Sequence, residues 1–434
     1  MLSLHITALS GREILDSRGN PTLEARVQLS DGTTARASVP SGASTGRLEA
    51  KEWRDGDPAR YGGRGVLQAA AALSREILPA VQHIDVREQA ALDAALCALD
   101  GTPDKHRLGA NALLAVSAAA ARAAAHAQGK QLWQTCGDAD PRTLPVPAFN
   151  LLNGGLHAPN PLDVQEFLVV PAGASCFAEA LRWGSEIHHA LGALLRREGL
   201  AAGVGDEGGF APDLTDTEAA LHTLLQAISL AGLRPGQDVF LALDAAASGW
   251  KTDTPGRYRL PKSGREYTAA QLIERWASLG DTFPLISLED GLDEDDWPGW
   301  QQLTDEVGGR MQLVGDDLFV TNLSRLERGL AGRCANAILI KPNQIGTLTE
   351  TAAVVRRAQK AGLGVMLSHR SGETADPLIA DLAVGLGAGQ IKSGAPCRSE
   401  RCAKYNRLLE IEAALGSRAV WPGKGVYPAL HRTD

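Results

Sequence analysis

Three carboxylates stand at equivalent places in the sequence, since Asp244, Glu289 and Asp316 each directly follow a short apolar run. If the fold brings them together without compensation, mutual repulsion raises their pKa values. A hard divalent cation removes that repulsion, and oxygen ligands with room for water and substrate favour Mg²⁺. The alternative is three separate helix-capping or ion-paired acids at strand–helix turns, but the shared placement favours a magnesium site.

Two lysines, Lys341 and Lys392, end further apolar runs of the same kind. A lysine in such a place could simply extend its stem along the surface and keep its ammonium group in water. Beside a bound cation and each other, however, one of them is expected to have a lowered pKa and to act as a base. Three acids, two lysines and a metal suit the removal of a proton next to a carboxylate, with the metal and the second ammonium holding the resulting enolate.

A glycine-rich segment, residues 203–208, matches the dinucleotide-binding pattern GxGxxG. A true dinucleotide site follows a strand and opens a helix. This segment instead follows a predicted helix, residues 186–199, and leads into the proline-containing residues 210–212. Asp206 and Glu207 would also repel a pyrophosphate. We therefore reject dinucleotide binding and predict a loop that holds a general acid over a substrate.

Four further candidates are weaker when taken singly. Glu166 begins a strand-like run and would more often be a surface carboxylate, and His157 lies in a glycine-containing loop where a solvent-exposed histidine is equally expected. Arg370 and Ser371 follow another apolar run, where a guanidinium and a hydroxyl could clamp a phosphate. These residues gain weight only if the fold gathers them at one place.

The elements that must position these groups are short apolar runs, each followed by a helical pattern, which from residue 285 onward recur about every 25 residues. Buried parallel strands have this appearance. The runs are residues 239–243, 285–288, 312–315, 337–340, 364–368 and 389–391. Such strands can form a closed barrel or an open doubly wound sheet. A barrel brings every carboxyl-terminal strand end to one mouth, where catalytic groups collect, so we predict an α/β barrel of the (β/α)8 TIM-like type.

The chain before the barrel has a different pattern. Short strands are predicted at residues 2–9 and 22–29, and helices at 65–98 and 110–128. Strands followed by helices are typical of an α+β unit. The proline-rich residues 141–147 suggest an inter-domain linker. We therefore expect an α+β capping domain at residues 1–137 and a catalytic barrel at residues 138–434.

Composition excludes several classes of protein. The net charge is −8 over 434 residues, without a block of Lys or Arg, which argues against nucleic-acid binding. Six cysteines without a CxxC pair indicate free thiols in a reducing compartment. The alanine-rich residues 110–127 favour a packed helix over a membrane span. We expect a cytoplasmic protein without membrane insertion.

Seven segments spread over the whole chain resemble signature segments of the enolase family, in family order, and residues 290–292 and the compactness of the chain look more like bacterial than animal members. The seven segments are residues 16–22, 40–46, 205–212, 315–322, 341–347, 368–374 and 389–401. The resemblance implies an α+β domain capping a modified barrel of type ββαα(βα)6. It also implies a phosphopyruvate hydratase, the Mg²⁺-dependent lyase that reversibly dehydrates 2-phospho-D-glycerate to phosphoenolpyruvate in glycolysis and gluconeogenesis.

The resemblance assigns the metal ligands. It implies that Asp244, Glu289 and Asp316 bind one Mg²⁺, and that Ser44, in the mobile loop at residues 41–46, reaches a second Mg²⁺ that arrives with the substrate. Two ions per active site are therefore expected.

The resemblance also assigns the catalytic groups. Lys341 matches the base that removes the C2 proton, and Lys392 the lysine that steadies the substrate carboxylate. Glu207 matches the acid that assists departure of the C3 hydroxyl, with Glu166 as its helper. The implied substrate contacts are Gln165, His157, Glu166, His369, Arg370, Ser371 and Lys392, the two histidines being active-site residues and Arg370 and Ser371 lying at the phosphate.

Three positions depart from the family pattern, although none of them is a proposed ligand or base. Pro159 stands where an aspartate is common, Ala375 where an acid is common, and Gly249 where a glutamate is usual. Pro159 could alter closure of the loop that carries His157. This puts substrate affinity and turnover in doubt more than the type of reaction.

Two rival interpretations stay open. A related enzyme of the same superfamily could use the same metal cage on a carboxylate without a phosphate. A binding protein on the same scaffold could act at the cell surface, for example as a plasminogen receptor, or as a scaffold in RNA degradation. The family further implies a homo-oligomer, either a dimer or an octamer, and the sequence does not distinguish them.

Overall fold

An antiparallel sheet opens the chain in the computed structural model, which describes residues 3–42, 46–137 and 139–427. Its strands, in spatial order, are β1 (Ile6–Leu15), β2 (Pro21–Leu29) and β3 (Thr34–Ser38). The turn between β1 and β2 is held by Asp16, whose Oδ1 accepts hydrogen bonds from the backbone N–H groups of Arg18 and Asn20 at 2.8 and 2.9 Å. The first strand was placed too early by the sequence pattern, whereas β2 lies where it was predicted.

Four helices follow the sheet in the described residues up to 127. They are α1 (Leu67–Ala72), α2 (Leu78–Val81), α3 (Gln89–Asp100) and α4 (Ala110–Ala127), and a π-helical turn at Leu73–Ile77 joins the first two. Helices α1, α2 and α4 pack on the sheet, and α3 packs against α2 and α4. The prediction of one helix over residues 65–98 was therefore wrong, because the chain leaves the helix after Val81. There Asp85 accepts hydrogen bonds from the Arg87 backbone N–H and guanidinium. The alanines of α4 let it lie close against β2 and β3, buried along most of its length.

A closed eight-stranded barrel forms the rest of the molecule. Its strands are β4 (Val146–Asn153), β5 (Glu166–Val170), β6 (Phe240–Asp244), β9 (Leu285–Glu289), β10 (Gln312–Gly315), β11 (Ala337–Ile340), β12 (Gly364–Ser368) and β13 (Gly389–Lys392). A small hairpin, β7 (Arg257–Arg259) and β8 (Glu266–Thr268), follows β6. The barrel closes where β13 pairs in parallel with β4.

Eight helices accompany the barrel strands in chain order. They are α5 (Phe177–Arg197), α6 (Thr217–Leu230), α7 (Ala269–Thr282), α8 (Trp297–Val307), α9 (Leu323–Gly332), α10 (Leu348–Lys360), α11 (Leu378–Gly385) and α12 (Ser399–Leu415). Short 3₁₀ turns lie at Tyr61–Gly63, Leu132–Gln134, Gly155–His157, Ala247–Trp250, Pro342–Gln344, Gly416–Arg418 and Gly423–Val426. Two strands, two helices and then six strand–helix units give the order ββαα(βα)6, which confirms the predicted modified barrel.

One strand runs against the others. β5 is antiparallel to both neighbours, β4 and β6, while the remaining pairs of the barrel are parallel. Its first residue therefore lies at the same rim as the last residues of the parallel strands. This reversal decides where Glu166 points.

A buried polar layer crosses the barrel interior below the mouth. The side-chain amides of Gln312 and Gln390 exchange hydrogen bonds at 2.9 and 2.8 Å, and Gln312 also donates to the hydroxyl of Ser287 at 3.1 Å. Each group finds a partner, as buried amides require. These bonds tie β9, β10 and β13 together, so the residues at their carboxyl ends are carried by mutually braced strands.

The N-terminal domain is docked on the barrel mouth through backbone and ionic contacts. Ser41 and Gly372 exchange backbone hydrogen bonds at 2.8 and 2.9 Å. Asp376 accepts a hydrogen bond from the backbone N–H of Ser38 at 2.8 Å and forms a close bidentate ion pair with Arg122 of α4. Within residues 3–42, 46–137 and 139–427, no helix combines the length and apolar character needed to cross a bilayer.

The Arg122–Asp376 pair should matter for stability, because its side chains are only 13% and 8% exposed. Removing one partner of a buried pair leaves the other charge uncompensated. We expect Arg122→Met to lower the free energy of unfolding by about 2 kcal/mol, less than for a fully buried pair because some exposure remains.

The matched control is Arg182→Met, which removes an exposed ion pair to Glu186 on α5 and should change stability by about 0.5 kcal/mol or less. Denaturant unfolding of both variants measures the difference. Equal effects would show that the inter-domain pair contributes no more than a surface pair.

Candidate active site

The predicted acids and bases are collected at one rim of the barrel. Asp244, Glu289 and Lys392 are the last residues of their strands. Three others follow their strands directly, namely Asp316, Lys341 and His369. All six are drawn from the carboxyl-terminal ends of parallel strands, where barrel enzymes place their chemistry.

Glu166 joins this group because β5 is reversed. It is the first residue of its strand and pairs in register with Asp244 on one side and with Asn153 on the other. Its side chain is 3% exposed, so it is not the surface carboxylate that its sequence context suggested. The preceding residue, Gln165, donates its backbone N–H to the Asp244 carbonyl at 3.0 Å and lines the same cavity.

Lys392 is the centre of an almost completely buried charge cluster. Its Nζ lies 3.0 Å from Glu166 Oε2, 3.0 Å from Asp244 Oδ2 and 2.9 Å from Glu289 Oε2. The lysine side chain is 3% exposed. Three carboxylates thus converge on one compact cation, which shows that this donor set can surround a positive charge.

Asp316 is held by a different lysine. Its Oδ2 forms a very close ion pair with Lys341 Nζ, and its Oδ1 accepts a hydrogen bond from the Gln344 amide at 3.2 Å. Its backbone N–H donates to Asp290 Oδ1 at 3.0 Å. In the described part of the chain, the acidic group within 4.8 Å that contains Asp316 is completed by Asp290 and Asp317, not by Asp244 and Glu289.

The separation of Asp316 from the other two predicted ligands has a simple physical cause. Each buried carboxylate pairs with the nearest positive group. Asp244 and Glu289 therefore pair with Lys392, whereas Asp316 pairs with Lys341. Asp290 and Asp317 were not predicted as members of the site. The sequence carried a signal for both, because each directly follows a predicted ligand in an acidic pair.

The expectation of a lowered lysine pKa applies to a lysine beside a bound cation and stays a prediction, whereas the carboxylate neighbours in the structure act in the opposite direction. Burial disfavours the ammonium of Lys341, but the adjacent Asp316 outweighs burial and raises its pKa. Burial also opposes the charge of Lys392, yet Asp244, Glu166 and Glu289 together raise its pKa well above the usual value. Carboxylates are thus the closest ionic neighbours of both lysines and favour their ammonium forms.

A second acidic pair lies across the cavity, bridged by a histidine. His157 Nδ1 is 3.9 Å from Glu166 Oε1 and 4.0 Å from Glu207 Oε1. Glu207 is held from the other side by Asn150, whose amide donates to Glu207 Oε2 at 3.0 Å, and His369 Nε2 lies 3.6 Å from the same oxygen. The loop that contains the glycine-rich pattern follows helix α5 and presents Glu207 to the cavity, as predicted.

The environments of these two acids push their protonation in opposite directions. Burial, with repulsion from Glu207, raises the pKa of Glu166 well above its ordinary value. Burial would raise the pKa of Glu207 too, but His369, His157 and Arg401 outweigh it and lower the pKa well below the usual range. The surroundings thus push the pKa values of the two carboxyl groups apart, upward for Glu166 and downward for Glu207.

Arg370, one of the two residues expected to bind the phosphate, forms an ion pair with Glu49 of the capping domain. Arg370 donates to Glu49 Oε2 at 2.7 Å and to Asn343 Oδ1 at 3.2 Å. Ser371 lines the same cavity. Ser44, the expected ligand of a second ion, lies outside the described residues.

The cavity bounded by these groups has a volume of about 260 Å³. Leu156, 83% exposed, and Trp250 form part of its lining. The loop with His157 is fixed beyond Pro159 by Asn160, whose amide donates to the carbonyls of Asn153 and Pro212 at 2.9 and 3.0 Å. Pro159 thus lies in a segment that is anchored by its neighbour.

Comparison with known proteins agrees with this geometry. The family model for "Enolase, N-terminal domain" matches residues 6–136, and the model for "Enolase, C-terminal TIM barrel domain" matches residues 141–429. A curated protein of Acidothermus cellulolyticus named "Enolase" is 56% identical over 423 residues, covering 98% of this chain and 97% of that protein. The chain belongs to the enolase family. The cluster at the barrel mouth of this enolase is therefore a candidate active site built on a family scaffold.

One glycine should be essential for the position of the Glu207 loop. Gly394 has a φ of +75°, and a Cβ there would lie 2.5 Å from the Glu207 carbonyl oxygen. Gly232 has a similar φ of +78° but open space around it. Each Ala substitution should cost about 1–2 kcal/mol for the left-handed backbone, and only Gly394→Ala should also displace the loop.

Thermal unfolding and turnover of phosphoglycerate measure the two effects separately. We expect Gly232→Ala to lose stability with normal activity, and Gly394→Ala to lose at least about 10-fold in activity as well. Full activity of Gly394→Ala would contradict the importance of the loop position.

Proposed function

We infer that this enolase-family chain is a phosphopyruvate hydratase that catalyses the Mg²⁺-dependent, reversible dehydration of 2-phospho-D-glycerate to phosphoenolpyruvate in glycolysis and gluconeogenesis. The observation that carries this conclusion is the convergence of acids, lysines and histidines at one barrel mouth, in a chain 56% identical to a curated enolase over nearly its full length. The residue roles below are our proposals.

Asp244, Glu289 and Asp316 would hold the Mg²⁺ ion. Their carboxylate oxygens are the hard ligands that Mg²⁺ prefers, and two of them already lie within 3.0 Å of a shared cation, the Lys392 ammonium. The ion would stabilise negative charge that develops on the substrate carboxylate. A second ion arriving with the substrate, with Ser44 as a ligand, completes the proposal of two Mg²⁺ per site.

Lys341 is proposed as the base that removes the C2 proton. Its only close ionic partner among the described residues is Asp316, which keeps it protonated. Lys341 can act as a base only when the Asp316 charge is engaged elsewhere, so the proposed metal ligand also controls the proposed base. Lys392, protonated and buried, would steady the substrate carboxylate.

Glu207 is proposed to protonate the departing C3 hydroxyl, with Glu166 as its partner. The raised pKa of Glu166 favours its protonated form, and His157 lies about equally far from both carboxylates. Proton transfer from Glu166 would then supply the proton that Glu207 donates. Lys341 directly follows β11, whereas Glu166 begins β5 and Glu207 lies in the loop between α5 and α6. Their placement on different elements suits an elimination in which proton removal and proton donation occur on opposite faces of the substrate.

Arg370 and Ser371 are proposed to bind the phosphate, with Gln165, His157 and His369 as further substrate contacts. The Arg370 guanidinium is now paired with Glu49, so phosphate binding would exchange one anion for another without leaving the buried guanidinium uncompensated. This phosphate site favours the phosphorylated substrate over carboxylates that lack a phosphate.

Three wider proposals accompany the activity. The capping domain would comprise residues 1–137 and the catalytic barrel residues 138–434. The protein would form a homo-oligomer, a dimer or an octamer, and act in the cytoplasm. Secondary roles at the cell surface or in RNA degradation stay open.

The proposed base is tested by Lys341→Ala. Loss of a general base should reduce turnover about 10²- to 10⁴-fold, followed through the ultraviolet absorbance of the enol phosphate. Lys360→Ala, an exposed lysine at the end of α10, is the matched control and should behave as wild type.

The same assay with a chelator tests the metal. Phosphoenolpyruvate formation that continues unchanged in chelator, or in Lys341→Ala, would exclude the proposed mechanism. Activity on carboxylates without a phosphate, but none on 2-phospho-D-glycerate, would favour another reaction of the superfamily.

A further inference from the structure

A fully buried arginine outside the cavity contacts two segments of the site. Arg401, at the start of helix α12, is 0% exposed. Its Nη1 lies 2.6 Å from the Arg370 carbonyl oxygen and very close to His369 Nδ1. Its Nη2 lies 2.6 Å from the Ser371 carbonyl oxygen and 3.2 Å from that of Asp206. One guanidinium therefore joins the Glu207 loop to the segment that carries His369 and Arg370.

The contact with His369 has a chemical consequence. A guanidinium only donates hydrogen bonds and stays charged, so the ring nitrogen that faces it must accept. His369 Nδ1 is therefore unprotonated. A neutral imidazole carries one N–H, which places that hydrogen on Nε2. A doubly protonated ring would set an N–H against the guanidinium N–H, so the same contact disfavours the imidazolium.

The Nε2–H of His369 is directed at the catalytic acid. Nε2 lies 3.6 Å from Glu207 Oε2, too far for a hydrogen bond, and His369 lines the cavity. The N–H is thus available to a substrate oxygen next to Glu207. Burial, together with Arg401, lowers the pKa of His369 well below its ordinary value although Glu207 opposes this, in agreement with a neutral ring.

We propose that Arg401 is a positioning residue that fixes His369 in the Nε2–H tautomer and so aims a neutral hydrogen-bond donor at the substrate beside Glu207. The proposal rests on the proposed function in taking His369 and Glu207 to face the substrate. The tautomer itself follows from the contact alone and can be measured without catalysis.

A purely structural role is the competing explanation, and the chain offers a matched control for it. Lys404 lies one turn further along α12, is 1% exposed and donates to Glu373 Oε2 and the Glu400 carbonyl, both at 2.8 Å. It also contacts the Thr374 carbonyl. Lys404 therefore braces the same loop from the same helix, and its recorded partners do not include His369.

The test is nitrogen-15 NMR of histidine-labelled full-length protein without substrate. The spectrum of His369→Asn identifies the signals of His369 by their loss. In the wild type we expect His369 to show a protonated Nε2 and an unprotonated Nδ1. Arg401→Gln should lose this single tautomer, Arg401→Lys should restore it in part, and Lys404→Met should retain it.

Kinetics then connect the tautomer with catalysis. Arg401→Gln should lower kcat by about 10- to 100-fold, the effect typical of residues that orient an active-site histidine, with a smaller change in KM.

A protonated Nδ1 on His369 in the wild type, or an unchanged spectrum in Arg401→Gln, would overturn the proposal. If Arg401→Gln fails to fold, the wild-type spectrum and Arg401→Lys still decide it. Inactivity of the wild type on 2-phospho-D-glycerate would refute the proposed function and leave the tautomer result standing.

Discussion

The structure depends on one constraint. Several carboxylates are buried together at the barrel mouth, and their mutual repulsion must be compensated by positive charge. Two lysines meet this need in the structure, Lys392 among Glu166, Asp244 and Glu289, and Lys341 beside Asp316. An isolated buried carboxylate would instead take up a proton. The ionised form of each carboxylate in the cluster therefore depends on the lysine ammonium group beside it.

The fold supplies this mouth through two features beyond a regular barrel. The reversed strand β5 turns Glu166 toward the rim that already carries Asp244, and the glutamine layer braces three of the strands below. The capping domain adds Glu49 against Arg370. Residues of both domains thus line the mouth.

Much of this could be predicted from the sequence, because parallel barrel strands are apolar runs of nearly constant spacing and their last residues can be read directly. Asp244, Glu289, Lys341 and Lys392 were found in this way. The strand pattern alone could not place Glu166, which only the family resemblance assigned to the site, because the direction of β5 depends on pairing with strands distant in the chain. The break after Val81 was missed for a similar reason, since alanine-rich sequence favours a helix on both sides of it. The ion pair of Lys341 with Asp316 was also not predicted, because such contacts are properties of the packed mouth.

The central claim is that Asp244, Glu289 and Asp316 can act together on one divalent cation. Calorimetric titration of Mg²⁺ into the substrate-free protein tests it most directly, with the single variants Asp244→Asn, Glu289→Gln and Asp316→Asn and the exposed control Glu306→Gln on α8. The account predicts that each of the three amide variants weakens the same binding site at least about 10-fold, while the control binds as the wild type does. Unchanged Mg²⁺ affinity in Asp316→Asn, or no saturable binding to the wild type, would contradict it.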